Sequence, residues 1–343
     1  MKPTTSPRYR SRDLADRVIG LSIGYQRDHL LARGLGFEHL REMLLGLGRL
    51  LLRQGASLAY GGGWKEAEDN FTYELLRLIS AEQEDNRLGG PDSNLTIGRL
   101  YNHTAWPYYL DITPQLEAQW INCCRIVRIT QQAAGFTDEE IVPDADVASG
   151  GPRVHFNRVL TQSVMRRRML EPMRIEIPEA APEPVPPVCA RVTLGGKVQD
   201  YSGVMPGIFE EALTALEKGC PLFLLGGFGG AAEVLANAIA RPDGARPPEL
   251  IVAWHEKHSA GFSALLKSFD QFRLPPPLPA IPVAFEALWQ FIEAARAQPG
   301  ATLRTSLTDE ETRELLTTRD MNTAVRLVRA GLANQHQLRA LPA

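Results

Sequence analysis

The residues of this chain best suited to chemistry lie in Leu222-Phe-Leu-Leu-Gly-Gly-Phe-Gly-Gly-Ala-Ala-Glu233. A short apolar run ends in Gly226, Gly227, Gly229 and Gly230, and an Ala-rich segment of helical character follows at once. Glycines let a main chain come close to a phosphate. A helix that starts there turns free N–H groups and partial positive charge toward the anion. Glu233 falls one turn into that helix. The helix dipole alone favours a carboxylate there. In a glycosidase the same carboxylate would orient a water or stabilise an oxocarbenium-like ribose centre. A second cluster, Gly61-Gly62-Gly63, also follows a short apolar run and precedes a helix. In a doubly wound sheet both clusters would line one crevice beyond the carboxyl ends of the strands. Without a ligand, each would be an ordinary strand–helix turn. No Gly-x-Gly-x-x-Gly fingerprint stands at the first strand, and no Walker A lysine motif occurs.

The other reactive residue types point elsewhere. Cys123, Cys124, Cys189 and Cys220 form no Cys-x-x-Cys pair and sit in or beside apolar runs, so they are expected to pack as small core residues. His255 and His258 are spaced for one helix face, but no second ligand cluster follows, and no metal site or cofactor is expected.

The elements that must position these residues alternate. Val18 to Ile23 reads as a first strand and Phe37 to Arg53 as an amphipathic helix closed by Gly55. Ala56 to Tyr60 is a strand and Phe71 to Ser80 a helix, with a polar loop from Glu82 to Asn94. Strands follow at Arg99 to His103 and within Trp120 to Ile129, then a helix from Val154 to Leu170. Pro178 to Pro187 is too rich in proline for a helix or a central strand and reads as an extended surface insertion. Cys189 to Leu194 and Pro221 to Leu225 are strands, and Gly207 to Gly219, Ala231 to Ala240 and Ala284 to Gln298 are helices. A second proline cluster (Pro275, Pro276, Pro277 and Pro279) precedes the last of these. Leu307 to Leu332 reads as two short helices, with a capping box of Thr308 and Glu311. This pattern predicts an α/β, Rossmann-like, doubly wound and mainly parallel sheet with helices on both faces. The expected organisation is a disordered basic tail over 1–16, one domain over 17–300 and a helical extension over 301–343.

Composition sets limits. At 343 residues with 44% hydrophobic and 22% charged content, the chain is long and apolar enough for a large globular core. A formal net charge of −3 argues against a protein that grips nucleic acid through its phosphates. No apolar run is long enough to span a membrane, and the N-terminus carries Lys2, Arg8, Arg10 and Arg12 but no apolar signal core. The cytoplasm is the expected compartment.

Gly226-Gly-Phe-Gly-Gly-Ala-Ala-Glu233 resembles the Gly-Gly-x-Gly-Thr-x-x-Glu motif of the lysine decarboxylase-like, cytokinin-activating phosphoribohydrolases, and Met165-Arg-Arg-Arg168 resembles its Met-x-x-Arg partner. These enzymes belong to the SLOG superfamily, a Rossmann-like group that includes the DNA-processing protein DprA. The chain is more similar to a SLOG branch of bacterial defence, including the sensor domain of the Thoeris anti-phage effector. That similarity rests on Leu58-Ala-Tyr-Gly-Gly62, Thr104-Ala-Trp-Pro107, Leu160-Thr161, Leu194-Gly-Gly-Lys197, Tyr201-Ser-Gly-Val-Met-Pro-Gly-Ile208, Glu210-Glu211 and the tail Leu307-Thr-Asp-Glu-Glu-Thr-Arg313. It spans about Val18 to Leu332. The resemblance implies a receptor for a NAD- or ADP-ribose-derived nucleotide, such as a cyclic ADP-ribose isomer. Arg166 and Lys197 would be its basic contacts, Glu210 or Glu211 would lie nearby, and the loop Gly226–Gly230 would hold a phosphate. The alternative is an N-glycosidic hydrolase using Glu233 and Arg168. Gly230 stands where those hydrolases carry threonine, which removes a hydroxyl and favours the receptor. A homo-oligomer is expected, with an effector partner chain as a further option.

Two residue-level arguments stand beside the resemblance. Arg166 and Arg168 are two apart, so on a helix they point about 200° apart and cannot both face one pocket. Trp106-Pro107 and Tyr201 are candidates to stack on an adenine, although large aromatics more often pack the core.

Overall fold

The computed structural model describes residues 13–65, 70–88, 98–176, 181–241, 243–276 and 278–340. The first half runs β1 (Val18–Gly24), α1 (Arg27–Leu31), α2 (Phe37–Arg53), β2 (Ser57–Tyr60), α3 (Phe71–Leu88), β3 (Leu100–Ala105), α4 (Pro114–Trp120) and β4 (Cys124–Ile129). There follow α5 (Pro152–Arg168), β5 (Met173–Ile175), β6 (Glu183–Val185), β7 (Ala190–Gly195), α6 (Gly207–Glu217), β8 (Leu222–Leu225) and α7 (Gly230–Ala240). The last helices are α8 (Val252–His258), α9 (Ala260–Ser268), α10 (Ile281–Ala297), α11 (Pro299–Thr302), α12 (Asp309–Thr317) and α13 (Met321–Ala340).

Six strands form one sheet in the order β4-β3-β2-β1-β7-β8, and every pairing is parallel. Side chains alternate across it. Leu222 and Leu224 of β8 enter the core that holds α5, α6 and α10, whereas Phe223 and Leu225 enter the core that holds α2, α3 and α13. This is the period of two that a strand covered on both faces requires. The chain leaves β1 toward β2 on one side and returns on the other as β7, so the winding reverses between β1 and β7. Crevices at the carboxyl ends of strands form at such reversals.

Several elements depart from the sequence expectation. The polar stretch from Glu82 continues α3 to Leu88, because Glu82 is buried between Arg49 (3.2 Å) and Arg53 (3.0 Å) of α2. Ion pairing across two helices replaces the apolar contact that periodicity looks for. Within the Pro-rich insertion, Glu183–Val185 pairs antiparallel with Met173–Ile175 as a separate two-stranded hairpin. The expected basic tail up to Arg12, the Gly89-Gly90-Pro91 turn, residues 178–180 and Pro277 lie outside the described residues. The capping box stands as expected: Thr308 Oγ1 accepts from the Glu311 N–H (3.1 Å), and Glu311 Oε2 accepts from the Thr308 N–H (2.9 Å).

The turn after β8 is shut in by the C-terminal helices. A Cβ on Gly227 would run into the carbonyl oxygen of Thr318, and one on Gly226 into the carbonyl oxygen of Leu316. Gly227→Ala is therefore expected to cost about 1–3 kcal/mol through overpacking against backbone. Urea unfolding checks this; an unchanged midpoint would mean that the segment after α12 yields freely.

Candidate functional site

A cleft of about 200 Å³ opens at the winding reversal. Its floor is the end of β1, from Leu21 to Gly24, with Tyr60 and Gly61 from the end of β2. Gly196 and Lys197, from the turn after β7, form one wall with Asp200, Tyr201 and Ser202. Arg166 enters from α5, and α6 begins here with Gly207, Ile208 and Glu211. Of the residues singled out from sequence, Gly61, Arg166, Lys197 and Glu211 thus line one space.

Arg166 is fixed from several sides. Its guanidinium pairs with Glu210, which is buried. The same carboxylate accepts from Ser163 Oγ (2.7 Å) and from the Met205 N–H (2.9 Å). Arg166 Nη2 donates to the Ser202 carbonyl (2.8 Å). A Cβ on Gly203 would strike this guanidinium, and one on Gly207 would come within 2.9 Å of it. The glycines of the loop before α6 thus make room for an arginine, and Glu210 holds Arg166 rather than facing the cleft. Burial and the nearby Glu210 push the Tyr201 phenol up, so it stays protonated.

Glu211 is held by a residue that the sequence reading missed. Arg191, fully buried on β7, lies 3.2 Å from Glu211 and donates to Ser22 Oγ (2.9 Å). The signal was present: a lone arginine inside the apolar run of a central strand needs a buried partner. Lys197 is the exposed cation of the cleft, with no carboxylate in ion-pair range among the described residues.

The glycine-rich turn Gly226–Gly230 lies beside this cleft and does not line it. Gly226 and Gly227 pack under the C-terminal helices. Gly230, at φ +65°, abuts the main chain of Gly195 and Gly196. The Ala231 N–H donates to the Gly196 carbonyl (3.0 Å). One of the amides expected to meet an anion therefore braces the turn that carries Lys197. Gly62 is also outside the cleft, its free side taken by the Tyr60 ring and the Thr72 hydroxyl.

The Glu233 carboxylate is paired with Arg33. Arg168 lies 3.6 Å from Glu171 and lines a different cavity with Pro172, Met173, Pro184 and Pro186. Arg166 and Arg168 point into different spaces, as their helical spacing requires. Of the aromatic candidates, Trp106 is a core residue with its indole N–H donating to Asp144 (2.8 Å), which removes it as a stacking platform. Tyr201 does line the cleft.

His255 and His258 share α8. The His255 Nε2–H donates to the Glu249 carbonyl and the His258 Nδ1–H to the Trp254 carbonyl, each at 2.7 Å. Among the described residues no group of three or more His, Cys, Asp or Glu is placed to hold a metal ion, and no helix is long and apolar enough to cross a membrane. Cys123, Cys124 and Cys220 are buried and Cys189 half-buried, with no disulfide among the described residues; burial pushes Cys124 up to about 12.

A family model described as SLOG cluster2 matches residues 13–315. No curated protein matches the chain.

Proposed function

The chain belongs to the SLOG cluster2 family, and on that premise we propose that it is a cytoplasmic sensor of a NAD- or ADP-ribose-derived nucleotide, such as a cyclic ADP-ribose isomer, in bacterial anti-phage defence. The observation that carries this reading is the gathering of Arg166, Lys197, Glu211 and the start of α6 around one cleft at the β1–β7 reversal. The Lys197 ammonium supplies a point charge and a helix start adds partial positive charge, whereas Arg166, whose charge is already met by Glu210, offers a diphosphate only its remaining N–H groups. Glu211, held by Arg191, would accept from ribose hydroxyls. The volume of about 200 Å³ suits a ribose phosphate better than a whole dinucleotide, so the base extends beyond the cleft. The signal passes on through a change in assembly of like chains or to an effector partner. The hydrolase alternative draws less support, because Glu233 is engaged by Arg33 and Arg168 opens on another cavity.

Incubation with AMP, NAD and cyclic ADP-ribose isomers tests the reading, with melting temperature and chromatography of the nucleotide as readouts. A raised melting point with the nucleotide intact is expected. No shift with any of them, or release of adenine or ribose phosphate, would overturn the sensor. Lys197→Ala is expected to weaken binding about tenfold, the loss of one charge-assisted contact, with no change in the melting point of the free protein. Unchanged affinity in that variant removes Lys197 from the site.

A further inference from the structure

A second, larger cavity lies away from the nucleotide cleft and shares no lining residue with it. It encloses about 530 Å³ between the start of α5 and one face of α9. Its walls are mainly apolar, with Pro107, Val147, Val154 and Ala264 among them. Its charged lining residues are Arg158 and Lys267, and no carboxylate lines it. Neither cation has an acidic partner in ion-pair range among the described residues. The start of α5 adds to the same sign: Pro152 lines the cavity, no side chain caps the helix, and its first turn holds no acidic residue.

Arg158 is held in place. The His155 Nε2–H donates to the Gly261 carbonyl (3.2 Å), tying α5 to α9, so its Nδ1 is left to accept from Arg158 Nη2 (2.8 Å). Burial and the neighbouring Arg158 lower the proton affinity of this imidazole, which keeps it a neutral acceptor. A guanidinium fixed by a neutral partner keeps its full charge for something else.

We infer that this cavity is a binding site for a small amphipathic anion, a molecule with one carboxylate, sulfonate or phosphate group on an apolar body. The volume falls in the range of small-molecule sites. The apolar walls take the body, and Arg158 and Lys267 take the head group. The inference stands apart from the nucleotide reading and uses none of its residues.

Fluorescence titration of the full chain with 1-anilinonaphthalene-8-sulfonate tests the site. Saturable binding is expected, weakened about tenfold or more by Arg158→Glu with Lys267→Glu. Lys267 is exposed, so Lys267→Glu alone is expected to stay folded by circular dichroism and still weaken binding about threefold. Decanoate is expected to compete if the site accepts an aliphatic body, whereas an aromatic site is displaced by naphthalene-sulfonate only. Inorganic phosphate at equal ionic strength is expected to displace neither. Absence of saturable binding, an affinity unchanged in folded Lys267→Glu, or displacement by phosphate alone would overturn the inference.

Discussion

Glu210→Ala is expected to lower stability by about 3–5 kcal/mol, since removing one partner of a buried ion pair strands the other. The carboxylate pairs with Arg166 and accepts from the Ser163 hydroxyl and the Met205 amide. All three donors lose this carboxylate together, leaving Ser163 with the Val159 carbonyl and Arg166 with the Ser202 carbonyl. Chemical denaturation gives the number. The variant Arg166→Met with Glu210→Met separates folding from binding, because an apolar pair of similar volume recovers much of what the single change loses. That double variant is expected to refold well and still fail to bind a nucleotide. Nucleotide affinity retained in it would show that Arg166 serves the fold alone.

Acid is expected to unfold the protein well before its carboxylates are fully protonated. His103, on β3, is buried, and burial lowers it to about 4; its Nδ1–H donates to the Tyr101 carbonyl, and Arg191 adds to the lowering. His255 is lowered to about 4 by burial, with His258 contributing, and its Nδ1 is buried without a partner among the described residues. An unfolded chain takes up these protons near pH 6.5, whereas the fold refuses them until about pH 4. The native state thus binds fewer protons across that window, and stability rises with pH through it. The contribution is fully present above about pH 6.5 and falls away on acidification toward pH 4. His103 alone accounts for about 3 kcal/mol. Urea midpoints measured from pH 7.5 to 4.5 check the slope. His103→Gln should flatten it, and a wild-type curve without slope would contradict the burial of both rings.

The sheet was legible because most strands carry a short apolar run and helices such as α2 an apolar stripe; β3, with Asn102, His103 and Thr104 buried at its centre, is the exception. Phe37–Arg53 matches its reading to the residue. Polar packing was not legible. Glu82 reads as a loop residue until Arg49 and Arg53 are brought beside it from another helix. α8 and α9 are a different case: Leu250 to Trp254 and Phe262 to Leu266 carry apolar residues, but each helix is too short for a helical period to stand out. The site divides along similar lines. Helical geometry alone separated Arg166 from Arg168. It could not separate a glycine that admits a ligand from one that admits the protein's own backbone. Gly226 and Gly227 are of the second kind, pressed by Leu316 and Thr318, and a one-dimensional motif is identical in the two cases. Arg191 was passed over because its partners, Ser22 and Glu211, come from distant parts of the chain.

The seating of Gly230 against Gly195–Gly196 has a consequence for how this protein can vary. The lysine that faces solvent at the cleft stands on a relay of bare main chain that reaches back to Thr318. A relative that put a side chain at position 227 would have to retract the peptide at 318, and one that did so at 230 would have to move the neighbouring strand end. Drift in the tail and drift at the turn after β7 are coupled, so the two should change in step among relatives or not at all.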